Sequence, residues 1–213
     1  MADLEQIAKA IIDCDEDGTL DLVNQAIADG VSAKDILNDG LLAGMAEVGR
    51  LFRDGEYFVP EVLISAEAMK AATNVLKPHL ATMGVEAAAT AVIGTVKGDL
   101  HDIGKNLLAT MLEGAGFAVI DLGVDVAAEK FVEACQTRKV DMVGLSALLT
   151  TTMPVMKEIV SELQAKVDPK PVILVGGAPV TEGYAREIGA DGYGRDASTG
   201  AELAKELCMK QAS

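Results

Sequence analysis

The chain has two histidines, and His101 stands in the stretch best suited to chemistry. That stretch is Gly98-Asp99-Leu100-His101-Asp102-Ile103-Gly104-Lys105-Asn106, with a carboxylate two residues before the imidazole and another directly after it. An imidazole beside a carboxylate can work as a general base. It can also ligate a metal while the carboxylate holds its second nitrogen, or it can be an ordinary residue of a polar loop. The residue types alone leave all three readings open. Two further stretches stand out. Ser146-Ala147-Leu148-Leu149-Thr150-Thr151-Thr152 carries four hydroxyls, which bind a ligand or cap a helix. Gly176-Gly177-Ala178-Pro179 begins with two glycines, which make a tight turn or let another body approach the backbone closely. The chain contains neither GxGxxG nor GxxxxGK[ST], so ordinary dinucleotide binding and a phosphate-cradling loop lose their main support.

These loops need a scaffold that gathers them. From Ala91 onward, short apolar runs alternate with helical stretches. Strands are expected at 91–96, 117–122, 142–145 and 172–175, with a weaker fifth near Gly192-Tyr193. Helices are expected at about 105–115, 128–137, 153–165, 181–188 and 198–210. Apolar strands separated by helices predict a parallel, doubly wound sheet. Each chemistry-bearing stretch then follows a strand, at the edge where such sheets bind ligands. Residues before about 85 show helical periodicity only, as in Leu4, Ile7, Ala8, Ile11 and Ile12. Ser32 reads as an N-cap with Asp35 three residues on, and Pro60 falls in the first turn of a helix running towards His79. Four helices with short connections predict a bundle. The expected division is a helical domain over 1–86 and an α/β domain over 87–213, with a hinge around Gly84 to Ala89.

Composition narrows the function. The 33 acidic and 18 basic residues give a net charge of −15. That charge argues against nucleic acid or an anionic membrane as partner. Aromatic residues make up 3%, too few for the stacking platforms used on single strands. No apolar run approaches the roughly 20 residues needed to span a bilayer. The first residues have no basic region followed by an apolar core, so no signal peptide is expected. Cys14, Cys135 and Cys208 are far apart and form no CxxC pair, which argues against a disulfide framework or structural zinc and for a reducing cytoplasm.

Taken in order, Asp99-x-His101-x-x-Gly104, Ser146-x-Leu148 and Gly176-Gly177 resemble the cobalamin-binding signature. It occurs in cobalamin-dependent methionine synthase, the carbon-skeleton mutases and corrinoid methyl-carrier proteins. Upstream, Val48-Gly49-x-x-Phe52-x-x-Gly55-Glu56-x-Phe58-Val59-Pro60-Glu61-Val62 resembles the helical cap that precedes the cobalamin domain in methyl-transferring members. The likeness covers nearly the whole chain and is strongest to the stand-alone corrinoid proteins of anaerobic methyltransferase systems.

The resemblance implies an N-terminal four-helix cap followed by a Rossmann-like, flavodoxin-like five-stranded parallel domain that binds cobalamin with its own base displaced. His101 becomes the lower axial ligand to cobalt, Asp99 holds its other nitrogen, and Thr152 stands where methionine synthase has a serine that completes the relay. Gly98, Asp102, Ile103 and Gly104 belong to the loop beneath the corrin, with Gly104 freeing it to bend. Ser146, Leu148, Thr150, Gly176 and Gly177 line the slot for the displaced tail, with Gly123, Val124 and the stretch from Gly194 to Ala197 as further contacts. Phe58 matches the aromatic over the methyl group, with Val59, Val62, Leu63 and Met69 as neighbours or as bundle core. The implied role is a non-catalytic subunit that takes a methyl group from a substrate-specific methyltransferase. A second corrinoid-dependent methyltransferase passes it to an acceptor such as tetrahydrofolate or a thiol, and a reductive activase is a further partner. Two alternatives share the signature: the small subunit of a carbon-skeleton mutase, and a cobalamin-dependent sensor. The upstream cap argues against the first, and the lack of a DNA-binding module argues against the second. His79, near a helix C-terminus, is explained by the helix dipole and takes no cofactor role.

Overall fold

The computed structural model describes residues 3–82, 87 and 89–211. The chain divides into two compact units, Met1–Ala87 with Gly114–Gly116, and Ala88–Glu113 with Phe117–Ser213. Most of the expected hinge from Gly84 to Ala89 lies outside the described residues.

The first unit is helical. Helix α1 (Leu4–Ile12) starts where the Asp3 carboxylate accepts the Glu5 N–H, and α2 (Glu16–Ala28) starts where Asp15 accepts the Gly18 N–H. A third helical stretch combines α3 (Ala33–Asp35), a π-helical segment (Ile36–Leu42) and α4 (Ala43–Arg53). Ser32 occupies the N-cap position, as expected, but its side chain makes no capping hydrogen bond. Small residues bring this stretch close to α1: a Cβ on Gly44 would stand 2.8 Å from the Ala8 carbonyl oxygen. Helix α5 (Val59–Thr82) begins after Phe58, whose N–H donates to the Glu61 carboxylate. The Ser65 hydroxyl donates to the Ile11 carbonyl at 2.8 Å and the Tyr57 hydroxyl to that of Ile12 at 2.7 Å. Two carbonyls in the last turn of α1 thus accept hydrogen bonds from α5 and the residues just before it, that of Ile11 alongside the Cys14 N–H at 3.2 Å. Along α5, Val62, Met69, Ala72 and Leu76 are buried, while Phe58, just ahead of it, Val59, Leu63 and Ile64 are exposed.

The second unit is a five-stranded parallel sheet built from β1 (Ala89–Thr95), β2 (Phe117–Asp121), β3 (Met142–Ser146), β4 (Val172–Gly176) and β5 (Gly192–Gly194), in the order β2-β1-β3-β4-β5. Helices α6 (Ile103–Gly114), α7 (Ala128–Thr137), α8 (Met153–Lys166), α9 (Glu182–Ile188) and α10 (Ala197–Gln211) alternate with the strands. Residues Met142 to Leu145 and Val172 to Val175 are buried in unbroken runs, because sheets covered on both faces have no solvent side. Phe131 of α7 and Met156, Ile159 and Leu163 of α8 join Val92, Val143 and Val175 in one core. Gly94 makes room for the Phe131 ring, which a Cβ there would meet at 2.7 Å. Among the described residues, no helix is long and apolar enough to cross a membrane.

This topology aligns the strand ends. Thr95 pairs with Ser146, Ser146 with Gly176, and Gly176 with Gly194. The strand order reverses direction between β1 and β3, and a crevice opens at such a switch point. The loops after β1 and β3 meet there.

Candidate functional site

Leaving β1, the chain turns through Gly98, whose φ of 84° is left-handed. Asp99 then enters the protein and is 0% exposed. Its Oδ1 accepts the His101 backbone N–H at 3.1 Å and lies 2.7 Å from His101 Nδ1. Its Oδ2 accepts the N–H groups of Leu148 and Leu149 at 2.8 and 3.2 Å, and Thr152 Oγ1 stands 2.9 Å away. Burial alone would raise the Asp99 pKa. The hydrogen bonds from His101, the Leu148 and His101 N–H groups and Thr152 outweigh it and hold the carboxyl well below the usual range.

An ionised Asp99 only accepts hydrogen bonds. His101 Nδ1 therefore carries the proton it donates to Asp99, and in the neutral ring this tautomer leaves the lone pair on Nε2. The His101 side chain is 53% exposed, so the ring is held at one nitrogen and presented at the other. A single imidazole donor suits a metal that arrives with its other ligands in place. The loops bearing these groups also expose apolar side chains, with Leu100 at 72%, Ile103 at 78%, and Leu148 and Leu149 above 40%. Apolar surface of this kind at a site's mouth favours a large, flat, partly apolar ligand.

A cleft of about 70 Å³ opens between α6, α10 and the strand ends, lined in part by Gly104, Ser146, Gly176, Gly194, Ala197 and Gly200. Gly104 tests whether a cofactor tail fits. It sits in the first turn of α6 rather than in a bent loop, contrary to the expectation that it frees the loop. Its φ is not left-handed, and a Cβ there would meet nothing within 4 Å. Glycine inside a helix costs about 1 kcal/mol relative to alanine, yet nothing in the protein itself requires glycine here. Open space beside bare backbone, on the wall of the cleft, is what a closely approaching ligand would use. The residues present therefore fit a corrinoid.

Other expected residues fall differently. Gly177 is not in the cleft wall. Its φ is 127°, and a Cβ would stand 1.9 Å from the Ala147 carbonyl oxygen. The body approaching that glycine is the chain's own β3 loop. Thr150 is exposed and outside the lining, and Leu148 serves Asp99 through its backbone N–H. Asp102 accepts from the Asn106 side chain on α6 at 3.1 Å. Gly123, at φ 86°, and the exposed Val124 form the turn after β2. Phe58 belongs to the first unit and is 65% exposed, so it is not bundle core. Val62 and Met69 are buried, and Leu63 is not. His79 lies in the last turn of α5. The cysteines form no disulfide, and burial pushes the Cys135 thiol up to about 11.

Some groups at the site escaped the sequence reading. Fully buried Thr95 donates through its hydroxyl to the His101 carbonyl at 2.9 Å. Lys105, 3% exposed, pairs with Asp121 at the end of β2. A lysine one residue beyond the Asp-His-Gly pattern was the available signal. The Leu149 N–H left none, because any residue supplies one.

Comparison with known proteins gives concordant results. Residues 89–202 match the B12 binding domain family, and residues 3–77 match a second family with the same description. A corrinoid protein of Desulfitobacterium hafniense strain Y51 is 42% identical over 214 residues, covering 99% of each chain. Trimethylamine corrinoid protein 2 of Methanosarcina acetivorans is 44% identical over 200 residues, covering 91% of this chain and 92% of the relative. Among solved structures, the methanol:cobalamin methyltransferase complex MtaBC of Methanosarcina barkeri superposes with a TM-score of 0.83 at 33% identity, covering 97% of this chain and 79% of that one.

Proposed function

The chain belongs to the corrinoid proteins with B12 binding domains, and from that membership we propose that it carries a methyl group between two methyltransferases. Bound cobalamin supplies a cobalt centre that accepts a methyl group and gives it up again. In this reading His101 Nε2 is the lower axial ligand, and the cofactor's own base lies displaced in the cleft between α6 and α10. Asp99 orients the imidazole and raises its basicity as a ligand. Thr152 and the Leu148 and Leu149 N–H groups hold Asp99 in turn. The open space beside Gly104 admits the tail, and Ser146 offers the cleft a hydroxyl.

The observation that carries the reading is the 2.7 Å contact between His101 Nδ1 and a fully buried Asp99. It presets one ring nitrogen and leaves the other to bind. Relatives named for dimethylamine and trimethylamine support a methylated amine as donor, loaded by a substrate-specific methyltransferase. The second methyltransferase passes the methyl group to an acceptor of the tetrahydrofolate or thiol class, and a reductive activase restores oxidised cofactor.

The test mixes reduced holo-protein with methyltransferases for dimethylamine, trimethylamine and methanol, each with its donor. The absorbance of the reduced corrinoid is then followed. Donor-dependent loss in at least one pairing is expected. A holo-protein that takes a methyl group in none of them would contradict the carrier role.

A further inference from the structure

The segment that carries Asp99 is held from two sides. From β3 come the contacts to its carboxylate. From β2 come contacts to the backbone, and these centre on Asp125. The Asp125 N–H donates to the Asp99 carbonyl at 3.0 Å, and Asp125 Oδ1 accepts the Gly98 N–H at 2.7 Å. One residue thus grips the two residues that introduce the aspartate.

Asp125 does this from a left-handed backbone conformation, with φ at 57°. Non-glycine residues seldom adopt it, and aspartate is among those that tolerate it best. Such a conformation persists where the surroundings over-determine it. Here the surroundings are the rest of the same junction. The Val126 N–H donates to the Thr95 carbonyl at 3.0 Å, the Thr95 N–H donates to the Gly123 carbonyl at 2.9 Å, and Val96 and Val126 form a β-bridge. Thr95 reaches onward through its hydroxyl to the His101 carbonyl. Burial does not account for Asp125, which is exposed.

We propose that Asp125 is a positioning residue for His101. By fixing the backbone of Gly98 and Asp99, it sets the Asp99 carboxylate and therefore the imidazole before any cofactor arrives. The inference rests on the reading of His101 as axial ligand, under which a preset ring lowers the ordering cost of binding.

Two variants separate this role from a merely structural one. Asp125→Gly relieves the left-handed φ and keeps the N–H to Asp99, deleting only the acceptor for Gly98. Asp125→Asn keeps an acceptor oxygen and tolerates the conformation. Three quantities are measured: the unfolding midpoint of the apo-protein, the nitrogen-15 shifts of the His101 ring in the apo-protein, and the Kd for aquocobalamin. Asp125→Gly is expected to keep the parent's midpoint and to show a mixed His101 tautomer. It should bind cobalamin roughly 10–100-fold more weakly, the range for losing an outer-shell partner of a ligand. Asp125→Asn is expected to restore both. An unchanged tautomer and Kd in Asp125→Gly would overturn the proposal. So would a loss that Asp125→Asn does not restore, or an Asp125→Gly protein that does not fold. A parent protein that fails to bind cobalamin would contradict the axial-ligand reading, while the apo-protein tautomers still decide whether Asp125 positions the ring.

Discussion

Thr152 Oγ1 lies 2.9 Å from Asp99 Oδ2, which ties the start of α8 to the loop after β1. The same hydroxyl stands 2.8 Å from the Leu149 carbonyl, and its single proton can serve only one of them. The ionised carboxylate is the stronger acceptor. Hydrogen bonds to charged groups are worth about 1.5–3 kcal/mol. Thr152→Val is therefore expected to destabilise the apo-protein by that order, and Thr152→Ser to stay close to the parent. Denaturant unfolding at neutral pH measures both. Equal stability of all three proteins would show that the hydroxyl does not hold Asp99.

The lowered pKa of Asp99 has a consequence in acid. A carboxyl whose folded pKa lies below its unfolded value of about 3.9 contributes stability that is complete above that value. The contribution is lost as pH falls through the lower folded value. Apo-protein stability should drop below about pH 4, and Asp99→Asn should flatten that part of the curve. Urea midpoints across the acid range check this, and a parallel decline in parent and variant would remove Asp99 as the cause.

Gly104 and Gly177 should respond oppositely to alanine. Gly177→Ala forces a Cβ towards the Ala147 carbonyl at a left-handed φ, so it should lower the unfolding midpoint sharply. Gly104→Ala meets nothing within 4 Å and should raise apo-protein stability by up to about 1 kcal/mol. It should also weaken cobalamin binding by filling the cleft wall. Calorimetry of the apo-proteins and cofactor titration separate the effects. Full cobalamin affinity in Gly104→Ala would move the tail out of this cleft.

Phe58 is exposed, and substitutions at exposed sites usually change stability by less than about 0.5 kcal/mol. Phe58→Ala should leave the unfolding midpoint of the apo-protein unchanged and speed photolysis of the methylated holo-protein. An unchanged photolysis rate would remove Phe58 from the protection of the methyl group.

Much of this was legible in the sequence, for a physical reason. Fully buried parallel strands need continuous apolar runs, so Met142 to Leu145 and Val172 to Val175 announced themselves, and the stretches that follow a strand were where a ligand site was to be expected. The Asp99–His101 pair was legible because its chemistry lies in side chains at short spacing. The Thr152 hydroxyl on Asp99 was expected from the resemblance and is there, but the backbone contacts that hold the pair were not legible. Leu148 and Leu149 act through backbone N–H groups, which no residue type signals. Asp125 acts across 27 residues of chain on Gly98, a pairing that only the strand order creates. Gly177 was legible as a glycine that something approaches closely, but not that the something is Ala147. The exposed Leu63 and the buried Met69 share one apolar helix, and periodicity alone did not separate them.

In the proposed function His101 is the nitrogen donor below cobalt. Holo-protein reduced by one electron and grown with nitrogen-15 histidine allows the most direct measurement, the superhyperfine splitting of its EPR spectrum. Labelling is expected to turn each triplet into a doublet, and His101→Ala to abolish the histidine-derived splitting. Triplets that ignore the label, or splitting from labelled histidine that survives in His101→Ala, would contradict it.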